Sequence, residues 1–126
     1  MSAVVIDASA VAAVLFDEPE AEPVRASIRG RLIAPGLIRY ELASVCLAKR
    51  LRYPDRTADI EARHALVDSL ELTLYEPVWA DLPGLAFRWA LSAYDAAYLQ
   101  LALARRATLV TLDARLAAAY DAAAGR

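Results

Sequence analysis

Short apolar runs, the first of them β-branched, alternate with longer helix-patterned stretches along the whole chain, and this alternation restricts the fold more than any other feature. Ala3-Val4-Val5-Ile6, Leu32-Ile33-Ala34, Leu72-Thr73-Leu74-Tyr75 and Thr108-Leu109-Val110-Thr111-Leu112 read as strands. Helical spacing runs over residues 8–16, 20–28, 37–51, 59–70, 78–91 and 92–106, with a last helix over 114–123. Pro19, Gly30, Pro35-Gly36 and Tyr53-Pro54-Asp55 supply the breaks, and Pro83-Gly84 marks a weak point inside 78–91. Strands that alternate with helices join through right-handed crossovers into a mostly parallel sheet, whose strands are short and apolar because helices cover both faces. The expected fold class is therefore α/β, with a short, mostly parallel central sheet flanked by helices in three layers.

The 126 residues match one ordinary domain, expected to span 1–126, and leave no room for a second. With 59% hydrophobic and 24% charged residues, the chain buries enough apolar surface to offset the entropy of ordering it. Charges interrupt every long apolar run and the N-terminus lacks a basic segment followed by an apolar one, so a soluble, cytoplasmic protein without a membrane span is expected. The lone Cys46 has no internal disulfide partner and lies in an apolar stretch, which reads as packing. Net charge is −2, against the basic footprint of an obvious nucleic-acid binder. Yet Arg25, Arg29, Arg31, Arg39, Lys49, Arg50, Arg52 and Arg56 crowd the first half and leave room for a local basic rim.

Four acids stand apart from the rest. In open parallel sheets ligands bind beyond the carboxyl ends of the strands, and Asp7 and Asp113 each follow a predicted strand directly. Each is also placed to cap the helix behind it, and the two roles are compatible. Glu41 lies within a long helix between Leu37 and Val45, four residues away on either side, so its face is largely apolar. Asp95 opens the helix Ala93-Tyr94-Asp95-Ala96-Ala97-Tyr98-Leu99, which is apolar nearly all round and therefore buried. A carboxylate there is costly unless a cation or hydrogen bonds compensate it. Together the four suit a hard divalent cation, Mg²⁺ or Mn²⁺, which takes oxygen ligands, polarises a phosphate and activates water. Ser9 and Thr111, each two residues from a strand-end aspartate, are candidates to support the carboxylates from behind.

The other acids do not meet these criteria. Asp121 follows no strand; Asp17, Glu18, Glu20 and Glu22 form a polar run, and Asp59, Glu61, Asp68 and Glu71 punctuate a solvated face. His64, the only histidine, sits beside Arg63 on a polar helix and reads as a surface residue. No glycine-rich phosphate loop and no paired Cys/His zinc motif is present.

The segments Val4-Val5-Ile6-Asp7-Ala8-Ser9, Tyr40-Glu41, Tyr94-Asp95-Ala96-Ala97-Tyr98-Leu99-Gln100-Leu101-Ala102 and Leu109-Val110-Thr111-Leu112-Asp113 resemble the PIN-domain nucleases, and VapC toxins most of all. The likeness covers essentially the whole chain in order and spacing. It implies that Asp7, Glu41, Asp95 and Asp113 match the family's acidic quartet and that Thr111 matches a frequently polar position beside the last acid. It further implies the toxin of a type II toxin–antitoxin pair, a metal-dependent endoribonuclease that cuts tRNA or ribosomal RNA. A homodimer silenced by a VapB antitoxin is implied as well. Two alternatives compete: a binding module that keeps the acids and acts through its partners, and a phosphatase-like enzyme with Asp7 as nucleophile. The second usually wants an aspartate two residues on as general acid, where this chain has Ser9.

Overall fold

The computed structural model describes residues 2–126. Its four strands are β1 (Ala3–Ile6), β2 (Arg31–Pro35), β3 (Thr73–Tyr75) and β4 (Thr108–Val110). All pair in parallel, in the order β3-β2-β1-β4. Val4, Val5 and Ile6 are buried in succession, as are Leu32, Ile33, Ala34 and Pro35. Consecutive burial, with no alternation, is the mark of strands covered on both faces. The helices that cover them are α1 (Ala8–Leu15), α2 (Ala21–Ser27), α3 (Ile38–Arg52), α4 (Thr57–Ala65), α5 (Leu82–Trp89), α6 (Ala93–Arg105) and α7 (Ala114–Ala123). The three-layer α/β architecture expected from the alternation is the one observed.

Three local differences have physical causes. The stretch 59–70 starts two residues earlier and tightens into a 3₁₀ segment over Leu66–Leu70, closed by Glu71 in the left-handed conformation, φ 54°. Pro83 does not weaken a helix interior; it lies in the first turn of α5, where its missing N–H is no loss, and a separate 3₁₀ turn, Trp79–Asp81, precedes it. β4 ends at Val110, two residues short of Leu112, because the next amides bond elsewhere. Leu112 N donates to Ser9 Oγ (3.0 Å) and Asp113 N to Thr111 Oγ1 (3.0 Å).

α6 packs across β1, β2 and β4, and its Ala96, Ala97 and Ala102 allow close approach to the sheet while Tyr98 and Leu99 fill the space between. Gly30, at φ 95°, turns the chain into β2, where a Cβ would stand 2.2 Å from Ser2 O. That same oxygen accepts the Arg31 amide at 3.1 Å. Gly30→Ala is expected to lower stability by more than about 1 kcal/mol, read as a fall in the urea midpoint at unchanged slope.

The strand order fixes where a site forms. From β1 the chain crosses to β2 and then β3 on one side, whereas β4 lies on the other side of β1. The crevice at the carboxyl ends of β1 and β4 is thus the topological switch point, where open α/β sheets bind their ligands.

Candidate functional site

Asp7 and Asp113 flank that switch point. Asp7, the residue after β1, is 5% exposed and the one charged residue in the described core. Its Oδ1 accepts from Ala10 N (3.1 Å), capping α1, and from Ser9 Oγ (2.7 Å), while its Oδ2 accepts from Thr111 Oγ1. Three donors compensate a buried carboxylate that would otherwise be costly. Because Ser9 and Thr111 also accept the amides of Leu112 and Asp113, the two hydroxyls stitch the end of β1 to the end of β4. Thr111 therefore supports Asp7 across the switch point as well as bonding the Asp113 amide beside it. Asp113 caps α7, its Oδ1 accepting from Arg115 N (2.9 Å) and Leu116 N (3.2 Å).

The other two acids reach the crevice from helices. Ser92 caps α6 by accepting Asp95 N at 3.0 Å, which sets Asp95 in the first turn above the sheet. Glu41 projects from the first turn of α3 and accepts a 2.6 Å bond from Tyr98 Oη, a phenol 1% exposed on α6. Burial and the neighbouring Glu41 push the Tyr98 phenol far up, so it remains a donor. Sequence reasoning placed Tyr98 on a buried helix and missed this bond. The available signal was its spacing of three from Asp95, which puts both on one helical face.

The four carboxylates share one electrostatic field. Burial raises the Glu41 carboxyl above its ordinary value, the Tyr98 bond opposes this, and the charges of Asp95 and Asp7 raise it further. Burial likewise raises Asp95, with Asp113 and Asp7 adding to it against Ser92 and Arg115. Among the described residues, no salt bridge involves any of the four. The folded state thus holds protons on Glu41 and Asp95 that the unfolded chain releases, and without divalent ions stability falls as pH rises through the window above the ordinary carboxylate values. In EDTA the urea midpoint is expected to drop as pH rises above about 4. Asp95→Asn should flatten that slope, and an unchanged slope would contradict the coupling.

A groove of about 560 Å³ opens from Ser9 and Leu112 at the switch point. It runs along Val45 and Ala48 of α3 to Lys49, Arg52 and Tyr53. Glu18 and Glu20 line the same groove, so the basic rim expected from the sequence meets it only at Lys49 and Arg52, and the groove touches the switch point through Ser9 and Leu112.

The model of the PIN domain family matches residues 4–122. The chain belongs to the PIN domain family. Its relatives in that family include the VapC ribonuclease Mb0985 of Mycobacterium bovis, 36% identical over 121 residues that span 90% of this chain and 87% of that protein. Ribonuclease VapC3 of Pyrobaculum aerophilum is 32% identical over 124 residues, 94% of this chain and 95% of its own. Among solved structures, PAE2754 from Pyrobaculum aerophilum superposes with a TM-score of 0.75. It covers 99% of this chain and 96% of its own at 22% identity, a likeness of PIN fold.

Proposed function

We propose that this PIN domain is a metal-dependent endoribonuclease, the toxin of a type II toxin–antitoxin pair, with Asp7, Glu41, Asp95 and Asp113 as its metal-binding catalytic carboxylates. The observation that carries this reading is the convergence of four acids on the switch point, where the charges of Asp7, Asp95 and Asp113 bear on Glu41 and Asp95 and, among the described residues, no salt bridge involves any of the four. Relatives named VapC ribonucleases, aligned over nearly the whole chain, supply the RNA.

The donor set fits the group it would hold, since hard divalent cations take carboxylate oxygens and relieve the repulsion among them. Asp7, Glu41, Asp95 and Asp113 would hold Mg²⁺ or Mn²⁺, which when bound would supply polarisation of the scissile phosphate and a more acidic attacking water. The chain's own residues do the positioning. Ser9 and Thr111 leave Asp7 one orientation, a supporting role that keeps the carboxylate set without moving parts. Tyr98 holds one oxygen of Glu41, which leaves the other for a ligand. Asp113 spends Oδ1 on capping α7 and keeps Oδ2 for the site. Lys49 and Arg52 offer cations to backbone phosphates on one side of a groove whose other charges are Glu18 and Glu20, a place for a strand of RNA, tRNA or ribosomal.

The same groove, apolar at Val45, Ala48 and Leu112 and lined by both signs of charge at Glu18, Glu20, Lys49 and Arg52, suits the tail of a VapB-type antitoxin as a competitive plug. A homodimer working in the cytoplasm completes the proposal. Among the described residues no helix is long and apolar enough to cross a membrane. Sequencing of RNA 5′ ends after brief induction in cells tests activity and target together. New ends at a few defined sites in tRNA or ribosomal RNA, absent when the antitoxin is co-expressed, are the expected result. An unchanged profile with soluble protein present would overturn it.

A further inference from the structure

A second group of metal-binding side chains lies away from the four carboxylates, between α3 and α4. Cys46 of α3 meets Glu61 and His64 of α4, and one ligand atom from each lies within 4.8 Å of the other two. The thiol is buried and donates to Glu61 Oε1 at 3.7 Å, while Glu61 is exposed and His64 half-buried, so an ion reaches them from solvent. Spacing explains the meeting: Glu61 and His64 stand three apart on one face of α4, the geometry by which helices present Glu-x-x-His to a single ion. Sulfur, imidazole nitrogen and carboxylate oxygen together are a borderline-soft set, unlike the all-oxygen quartet.

We propose that Cys46, Glu61 and His64 bind Zn²⁺, with water in the fourth position, as a clasp between α3 and α4. Bonds of about 2.0–2.3 Å to the metal require the donors to draw together by roughly 1 Å, which rotations of the two accessible side chains supply. Arg50 Nη1, 3.0 Å from Glu61 Oε1, holds that carboxylate from outside, as outer partners of ligating carboxylates commonly do. On binding, the sulfur–zinc bond forms, the S–H bond breaks and its proton leaves to solvent. The ion would stiffen the helix pair whose first member carries Glu41 at one end and Lys49 and Arg52 at the other.

Co²⁺ titration of the reduced full-length protein separates this site from the carboxylates, because only thiolate ligation gives a sulfur-to-cobalt charge-transfer band in the near ultraviolet. One equivalent of that band, bleached by Zn²⁺, is expected in the wild type. Cys46→Ser should abolish it, and His64→Gln should weaken the apparent affinity by about tenfold or more. Both variants should keep the wild-type circular dichroism and still bind Mn²⁺. Absence of the band in the wild type, or an undiminished band in His64→Gln, would overturn the proposal. As a check independent of colour, Zn²⁺ should slow alkylation of Cys46 in the wild type and fail to do so in a Glu61→Gln/His64→Gln double variant.

Discussion

Asp7→Asn is expected to reduce RNA cleavage by on the order of a thousandfold while leaving the protein folded. The amide keeps an oxygen for the Ala10 amide and the Ser9 hydroxyl, so the α1 cap survives, and the Thr111 hydroxyl can turn to accept from the new NH₂. What disappears is the charge. A divalent ion contributes several kcal/mol of transition-state stabilisation, and each 1.36 kcal/mol is about tenfold in rate, so a thousandfold corresponds to losing most of it. The variant should also be more stable than wild type in EDTA, since one member of a repelling set is gone, and should gain less from added Mn²⁺. Single-turnover cleavage and thermal melts with and without metal check both parts. Cleavage within tenfold of wild type would remove Asp7 from the centre of the mechanism.

The largest effect on stability should come from Leu99→Ala. Leu99 is fully buried on α6, the helix that packs on β1, β2 and β4 and also presents Asp95 and Tyr98. Truncating a leucine at such a position costs about 2–5 kcal/mol, depending on how far the cavity collapses. For a domain of this size that is a fall in Tm on the order of 10 °C. Because Asp95 and Tyr98 share the helix, collapse of the cavity should also shift Glu41 and Asp95 against each other. Activity below the melting transition should therefore fall by more than the unfolded fraction explains. A Tm within about 2 °C of wild type would mean that the helix rests on the sheet less closely than its burial implies.

The parts of the fold legible in the sequence were those with a local cause. β1 announces itself as a β-branched run, β2 and β3 as short apolar runs between breaks, and Asp7 as an acid directly behind a strand, because these signals lie within a few residues. The end of β4 was not legible, since it depends on a Ser9 hydroxyl 103 residues away competing for the Leu112 amide. Nor was the partner of Glu41, because a buried helix face reveals that something covers it, while the register between α3 and α6 decides that the cover is Tyr98. Cys46, Glu61 and His64 show the same limit. Read one at a time they were packing and surface residues, and only the α3–α4 contact places them together.

The stitch between Ser9, Asp7, Thr111 and Leu112 also sets an order of events in synthesis. Thr111 lies 104 residues after the Asp7 carboxylate it holds, and β4 must slot in beside β1 before that bond can close. A chain emerging from the ribosome shows Asp7 first and Glu41 next, yet the acidic cluster stays open until β4 and Thr111 have been released. Non-local parallel pairing of this kind is also slow to form. On the proposed nuclease reading, a ribosome making this protein thus meets no finished carboxylate site on its own nascent product, and the proposed antitoxin has the whole of that interval in which to arrive.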